Sequence, residues 1–126
     1  NNKNRKMEQI GYYTLPNGRK LHFSINAWYN LEQDAGLSPQ AYLEEFGNEA
    51  GKEEPNEFLL LDLITDLVYA ALKAYDQEEG NEIDYNRFKV RSELVQMDGE
   101  ELAGLNNAML SNSSIDTSLG KRKVVK

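Results

Sequence analysis

The chain has no cysteine, one histidine, one tryptophan and three prolines among 126 residues. Without cysteine there is no disulfide framework, no thiolate zinc site and no thiol nucleophile, and nothing calls for an oxidising compartment. No run approaches the roughly 18 apolar residues that span a bilayer, and no apolar stretch follows the polar, basic start at Asn1–Lys6, so neither a membrane anchor nor a secretory signal is expected. Positive charge is also scarce where it would matter. Of the 14 basic residues, Lys3, Arg5, Lys6, Lys121, Arg122, Lys123 and Lys126 sit near the ends, while all 21 acids lie between Glu8 and Asp116. The stretch 7–120 therefore carries seven basic against 21 acidic side chains, a charge of −14. Such a surface repels phosphate, which excludes nucleic-acid binding through the body of the protein. The basic run Lys121–Lys123 reads as a solvated tail.

Catalytic patterns are absent as well. There is no phosphate-cradling glycine loop, no His-x-x-x-His and no Gly-x-Ser-x-Gly. His22 has no cysteine to serve and falls on the more polar side of an expected strand. Residues 76–87, Asp76-Gln77-Glu78-Glu79-Gly80-Asn81-Glu82-Ile83-Asp84-Tyr85-Asn86-Arg87, have the outline of a calcium loop. That loop needs glycine at its sixth place and a bidentate glutamate at its twelfth, and Asn81 and Arg87 stand there. The segment is read as an acidic connection between helices, and neither metal nor cofactor is expected.

What the sequence does contain is a small α+β pattern. Asn17-Gly18 separates two β-prone runs, the signature of a hairpin with a type I′ turn, and Leu21, Phe23 and Ile25 alternate with Lys20, His22 and Ser24 along the second strand. Two strands are not stable alone, so the apolar face must rest on helices. From Asn26 the period becomes helical, through Ala27, Trp28, Leu31 and Ala35, with Ser24 or Asn26 at the start and Gly36 at the end. Ser38-Pro39 opens a second short helix carrying Tyr42, Leu43 and Phe46 to Gly47, and 47–56 reads as an exposed loop. Phe23, Trp28, Leu31 and Tyr42 are assigned to the core.

The stretch Phe58–Tyr75 is the centre of the molecule. Asp62, Thr65, Asp66, Tyr69 and Lys73 share an arc of about 100°, while Leu59 to Leu61, Leu63, Ile64, Leu67, Val68, Ala70 to Leu72 and Ala74 fill an opposite arc roughly 220° wide. A surface helix needs about half that width. Either its own domain encloses this helix, or another chain covers part of the apolar arc. A further helix is expected over 84–96 with Tyr85, Phe88 and Val95 on one stripe. Then Asp98-Gly99-Glu100-Glu101 makes a capping box opening a last helix with Leu102, Leu105 and Met109 on one side. The expected architecture is thus a small N-terminal β-hairpin packed on a mainly helical domain of four to five helices. Its expected bounds are 8–110, between a disordered 1–7 and a flexible Ser/Asn-rich, basic tail over 111–126.

The hairpin Tyr13–Phe23, the run Ser24–Ser38 containing Leu31-Glu32-Gln33-Asp34-Ala35-Gly36, the polar loop, and the helix Leu61–Tyr75 ending at an aromatic together resemble the tail assembly chaperones of long-tailed bacteriophages. The resemblance covers about residues 8 to 97 and rests on residue class. It implies a non-enzymatic, cytoplasmic assembly factor of the bacterial host, absent from the mature virion. Such a factor binds and solubilises the tape measure protein and helps recruit tail tube protein, and without its client it is expected either to form a homo-oligomer or to expose apolar surface; this chain would correspond to the family's short form. On that reading the client surface is Leu60, Ile64, Leu67, Val68 and Ala71, with Tyr12, Tyr29 and Tyr69 as an alternative. The competing class is a generic adaptor or regulatory protein-interaction domain of bacterial or mobile-element origin.

Overall fold

A computed structural model describes residues 11–109; the expectations of a disordered 1–7 and a flexible 111–126 lie outside them. The described chain is a two-stranded antiparallel hairpin followed by five helices. Strands β1 (Tyr12–Thr14) and β2 (Lys20–His22) pair in the register Tyr12 with His22, Tyr13 with Leu21 and Thr14 with Lys20. The turn between them differs from the expected type I′. Gly18 N–H donates to the Leu15 carbonyl at 2.9 Å and Leu15 N–H to the Arg19 carbonyl at 2.8 Å. Gly18 has φ +93°, and no non-glycine residue among those described has a positive φ. The connection is therefore a type I turn through Pro16 and Asn17 closed by a glycine bulge. Proline explains the change, because its ring fixes φ near −65°, the value the first central position of a type I turn requires.

Helix α1 (Ile25–Ala35) follows at once. Ser24 has extended backbone and its carbonyl accepts from Ala27 N–H at 2.9 Å, and the strand ends at His22, three residues early. Ile25, expected beside Leu21 and Phe23, is instead the first helical residue and 60% exposed. Ala27, Trp28 and Leu31 are buried as expected, and Gly36, at φ +72°, closes the helix. Helix α2 (Pro39–Ala50) is capped by Ser38, whose hydroxyl accepts from Ala41 N–H at 3.1 Å. It runs through Gly47, where the sequence predicts its end, and the added turn carries Glu49. That carboxylate is buried and accepts from Asn56 N–H at 2.7 Å and from Lys52 Nζ at 2.9 Å. Lys52 and then the Asn56 amide hold the Glu49 carboxyl below its usual range. One extra helical turn thus ties off the 51–56 loop and delivers Asn56 as the cap of the next helix.

Helix α3 (Glu57–Glu79) is 23 residues long and packs against α1, α2, β2 and the following helix. Asn56 Oδ1 accepts from the amides of Phe58 and Leu59, and Gly80 at φ +76° ends it. Leu63, Leu67, Val68, Ala70, Ala71, Leu72 and Ala74 are all buried, as is Thr65 on the nominally polar side, whose hydroxyl donates to the Leu61 carbonyl. The domain itself encloses most of the wide apolar arc. Tyr42 reaches in from α2 to donate to the Leu63 carbonyl at 3.0 Å, and burial pushes its hydroxyl pKa up.

Helix α4 (Arg87–Leu94) begins later than expected because Asn86 Oδ1 takes the Lys89 amide as a cap. Its buried face is Val90 and Leu94, preceded by buried Tyr85; Phe88 and Val95, expected on the same stripe, point outward. Helix α5, over 99–109, starts from a reciprocal capping box. Asp98 Oδ1 accepts from Glu101 N–H at 2.8 Å and Glu101 Oε1 from Asp98 N–H at 3.0 Å. Leu105 and Met109 enter the core, and a side chain at Gly104 would sit 3.2 Å from the Tyr13 hydroxyl, so α5 closes tightly over β1. Among the described residues no helix is long and apolar enough to cross a membrane.

Candidate partner-binding surface

The five residues expected to meet a client separate into two groups. Leu67, Val68 and Ala71 have no exposed area and belong to the core between α3, α1 and β2. Leu60 and Ile64 are half-buried. A side chain without accessible surface touches no partner in this conformation, so the expected surface is corrected: the middle of α3 is interior. Of the aromatic alternatives, Tyr12 is 40% and Tyr29 62% exposed, while Tyr69 is half-buried beneath Lys73 Nζ and set edge-on to Tyr85.

Apolar surface is concentrated instead where α3 begins. Phe58 is 82% exposed, Phe88 68% and Val95 60%. Phe58, Leu61 and Asp62 of α3 face Arg91, Ser92 and Val95 across an open groove of about 380 Å³. Phe88, Ser92 and Val95 fall within an arc of about 60° on the outer side of α4 and just beyond it. The Ser92 hydroxyl is turned back onto the Phe88 carbonyl at 3.1 Å, and the Arg91 guanidinium lies over the Phe88 ring. The sequence placed Phe88 and Val95 on one stripe with Tyr85, which is buried while they are not. The missed signal is that Arg87 and Arg91, four apart, had to face the Asp62 and Asp66 pair, also four apart, which rotates Phe88 away.

Two members of that four-residue network, Asp62 and Arg91, line the groove. Arg87 donates from Nε to Asp66 and from Nη2 to Asp62 at 3.2 Å, and Arg91 Nη1 reaches Asp62 at 2.9 Å. Burial opposes the Arg87 charge, but Asp66 and Asp62 outweigh it and raise its pKa. The ionic groups nearest the groove are therefore already matched to each other. Elsewhere too, positive charge is committed: residues 11–109 hold seven basic and 19 acidic side chains. Arg19, Lys52, Lys73, Arg87 and Arg91 are ion-paired. Among the described residues Lys20 and Lys89 are the basic side chains left without an ion pair, against a large excess of acids without a cation.

The other polar clusters are structural in geometry. Glu78 accepts from Ser24 and Asn26 at Oε2, both at 2.7 Å, and pairs with His22 at Oε1; His22 stacks flat on Tyr12 with ring centroids 3.9 Å apart. Serine and histidine both spend themselves on the carboxylate rather than on each other, so no nucleophile–base pair forms. Burial works against the Glu78 charge, yet Asn26, His22 and Ser24 hold its carboxyl below the usual range. In the 76–87 segment Asp76 accepts from the Tyr85 hydroxyl and from Asn81 Nδ2, and burial followed by that bond pushes the Tyr85 hydroxyl pKa up. Among the described residues no group of three His, Asp or Glu side chains is gathered as a metal ion requires. Comparison with protein-family models, with curated proteins and with solved structures finds no match.

Proposed function

We propose that this chain is a non-enzymatic assembly chaperone of the long-tailed phage type. It binds the tape measure protein, keeps it soluble in the bacterial cytoplasm and helps bring tail tube subunits to it, and it is left behind when the virion is complete. The observation that carries this reading is the open apolar groove at Phe58, Leu61 and Val95 on a domain whose core is otherwise closed. A long, sticky client is shielded by such a groove, and the acidic exterior keeps the complex dispersed. The order of hairpin, short helix, polar loop and long apolar helix, on which the resemblance rests, is consistent with it.

The second reading is an adaptor or regulatory domain that binds a single folded partner. The modest size of the groove favours it, since about 380 Å³ accommodates one segment of one protein. Co-expression with a tape measure protein separates the two. On the chaperone reading the client stays soluble and light scattering after size exclusion gives a mass with several copies of this chain per client. A client that remains insoluble beside an inert monomer would sink that reading and leave the adaptor.

A further inference from the structure

We infer that the groove between the start of α3 and the outer side of α4 takes the apolar face of a basic amphipathic helix supplied by another protein. The inference deepens the reading of this chain as a protein-binding domain and rests on it, but not on the identity of the client. Two helical flanks form the groove. Phe58, Leu61 and Asp62 lie at i, i+3 and i+4 on α3 and face Arg91, Ser92 and Val95 on and just beyond α4; Phe88, exposed one turn before Ser92 on the same side of α4, extends this flank beyond the lining itself. A trough between two helix flanks matches the ridge that apolar residues three and four apart make on a third helix. Neither strand of the hairpin lines it, so an added strand has no edge to pair with there.

Charge decides what kind of helix. In the floor, Asp62 and Arg91 satisfy each other at 2.9 Å, and the Ser92 hydroxyl is bonded to the Phe88 carbonyl, so an incoming apolar face leaves no new charge unpaired. Around it the field is negative. Among the described residues Glu57 stands exposed beside Phe58 without an ion pair and Glu53 and Glu54 are exposed in the preceding loop; five of the seven basic side chains in 11–109 are already engaged, which leaves Lys89 beside Phe88 as the one unpaired cation on this flank and Lys20 on β2. Lysine or arginine on the solvent side of the bound helix meets this field, which steers encounter. A second copy of the chain brings the same excess of 19 acids over seven bases and is repelled.

The test uses the full chain and three labelled peptides of about 20 residues, roughly 30 Å as helices. The first carries leucine on one helical face and lysine elsewhere, the second glutamate for lysine, and the third lysine with the leucines replaced by serine. Fluorescence anisotropy is expected to show binding of the first peptide alone at physiological salt. The double variant Phe58→Ser, Phe88→Ser is expected to bind it about tenfold or more weakly, as loss of a central aromatic anchor does. Tyr29→Ser, on a helix that contributes nothing to the groove, leaves binding within about twofold. Glu57→Lys weakens binding and flattens its salt dependence. Both serine variants expose polar atoms at already exposed positions, and an unchanged urea midpoint verifies their fold.

Equal binding of the leucine-free peptide, or binding indifferent to the Phe58 and Phe88 changes, would overturn the inference. So would a concentration-dependent dimer abolished by those changes, which would make the occupant a second copy. Peptide binding lost with Phe58 and Phe88, beside a tape measure protein that stays insoluble, would uphold the groove and defeat the proposed function. A soluble tape measure complex that survives the double variant would do the reverse.

Discussion

His22 at the end of β2 pairs through Nδ1 with Glu78, 56 positions further on in the last turn of α3. This contact, reinforced by Ser24 and Asn26, pins the hairpin to the far end of the central helix. It also carries a pH dependence. The Glu78 carboxyl is held below its usual range in the folded protein, so the unfolded chain takes up the proton first as pH falls. The stabilisation is complete above the unfolded value of about 4.3 and drains away as pH drops toward the folded value. Glu78→Gln is expected to lose about 0.5–1 kcal/mol at pH 7, after discounting for solvent screening, and to show a smaller loss than wild type between pH 5 and about 3. Urea unfolding across that range reads both effects, and parallel curves for the two proteins would refute the assignment.

The sorting of α3 into interior and surface is testable by two substitutions on the same helix. Leu67→Ala removes a side chain with no exposed area and is expected to cost about 2–5 kcal/mol. Phe58→Ser is expected to stay within about 0.5 kcal/mol of wild type despite the larger change. Urea midpoints with an unchanged m-value decide it. Comparable losses would mean that the N-terminal turn of α3 is covered in solution.

Arg87 and Arg91 meet at Asp62, and Asp66 depends on Arg87. Arg87→Met leaves Asp66, whose side chain is 17% exposed, without its cation and is expected to cost about 1–3 kcal/mol. Arg91→Met alone should cost less, because Asp62 retains Arg87. A double-mutant cycle should give a coupling of about 0.5 kcal/mol or more, since the two arginines share an acceptor. Additive losses would contradict the shared network.

Asp98→Ala breaks the capping box at α5 and should cost about 1 kcal/mol. Glu101→Ala should approach it without adding fully, the two bonds being reciprocal. Thermal unfolding of the two singles and the double measures this.

Features with a local cause were legible in the sequence. Ser38-Pro39, Gly36 and Asp98 to Glu101 announce helix ends because the cap bonds lie within four residues, and Leu21 with Phe23 announced a one-sided strand. Phe23, Trp28, Leu31 and Tyr42 were identifiable as core from spacing alone, and all are buried. What failed was decided at long range or by a competing local preference. Pro16 overrode Asn17-Gly18 in choosing the turn. Glu49 carried α2 past Gly47 because its partner was Asn56. Phe88 and Val95 share a stripe in the sequence with buried Tyr85, but Arg87 and Arg91, held by acids 21 and 29 positions away, turn them outward. On α3 a 220° apolar arc cannot say which part is covered. The middle lies under α1, α4 and β2, and only Phe58 and Leu59 at its start remain open.

The account turns on the claim that partners engage the start of α3 and the outer side of α4 while the core stays shut. Hydrogen exchange of the chain with and without the co-expressed client tests it most directly. The account predicts added protection over 57–62 and 87–96, where the first amides of α3 have no helical partners, and none over 67–72, which is already protected. Loss of protection over 67–72 on binding, with 57–62 unchanged, would mean that the domain opens to present Leu67, Val68 and Ala71, and would contradict it.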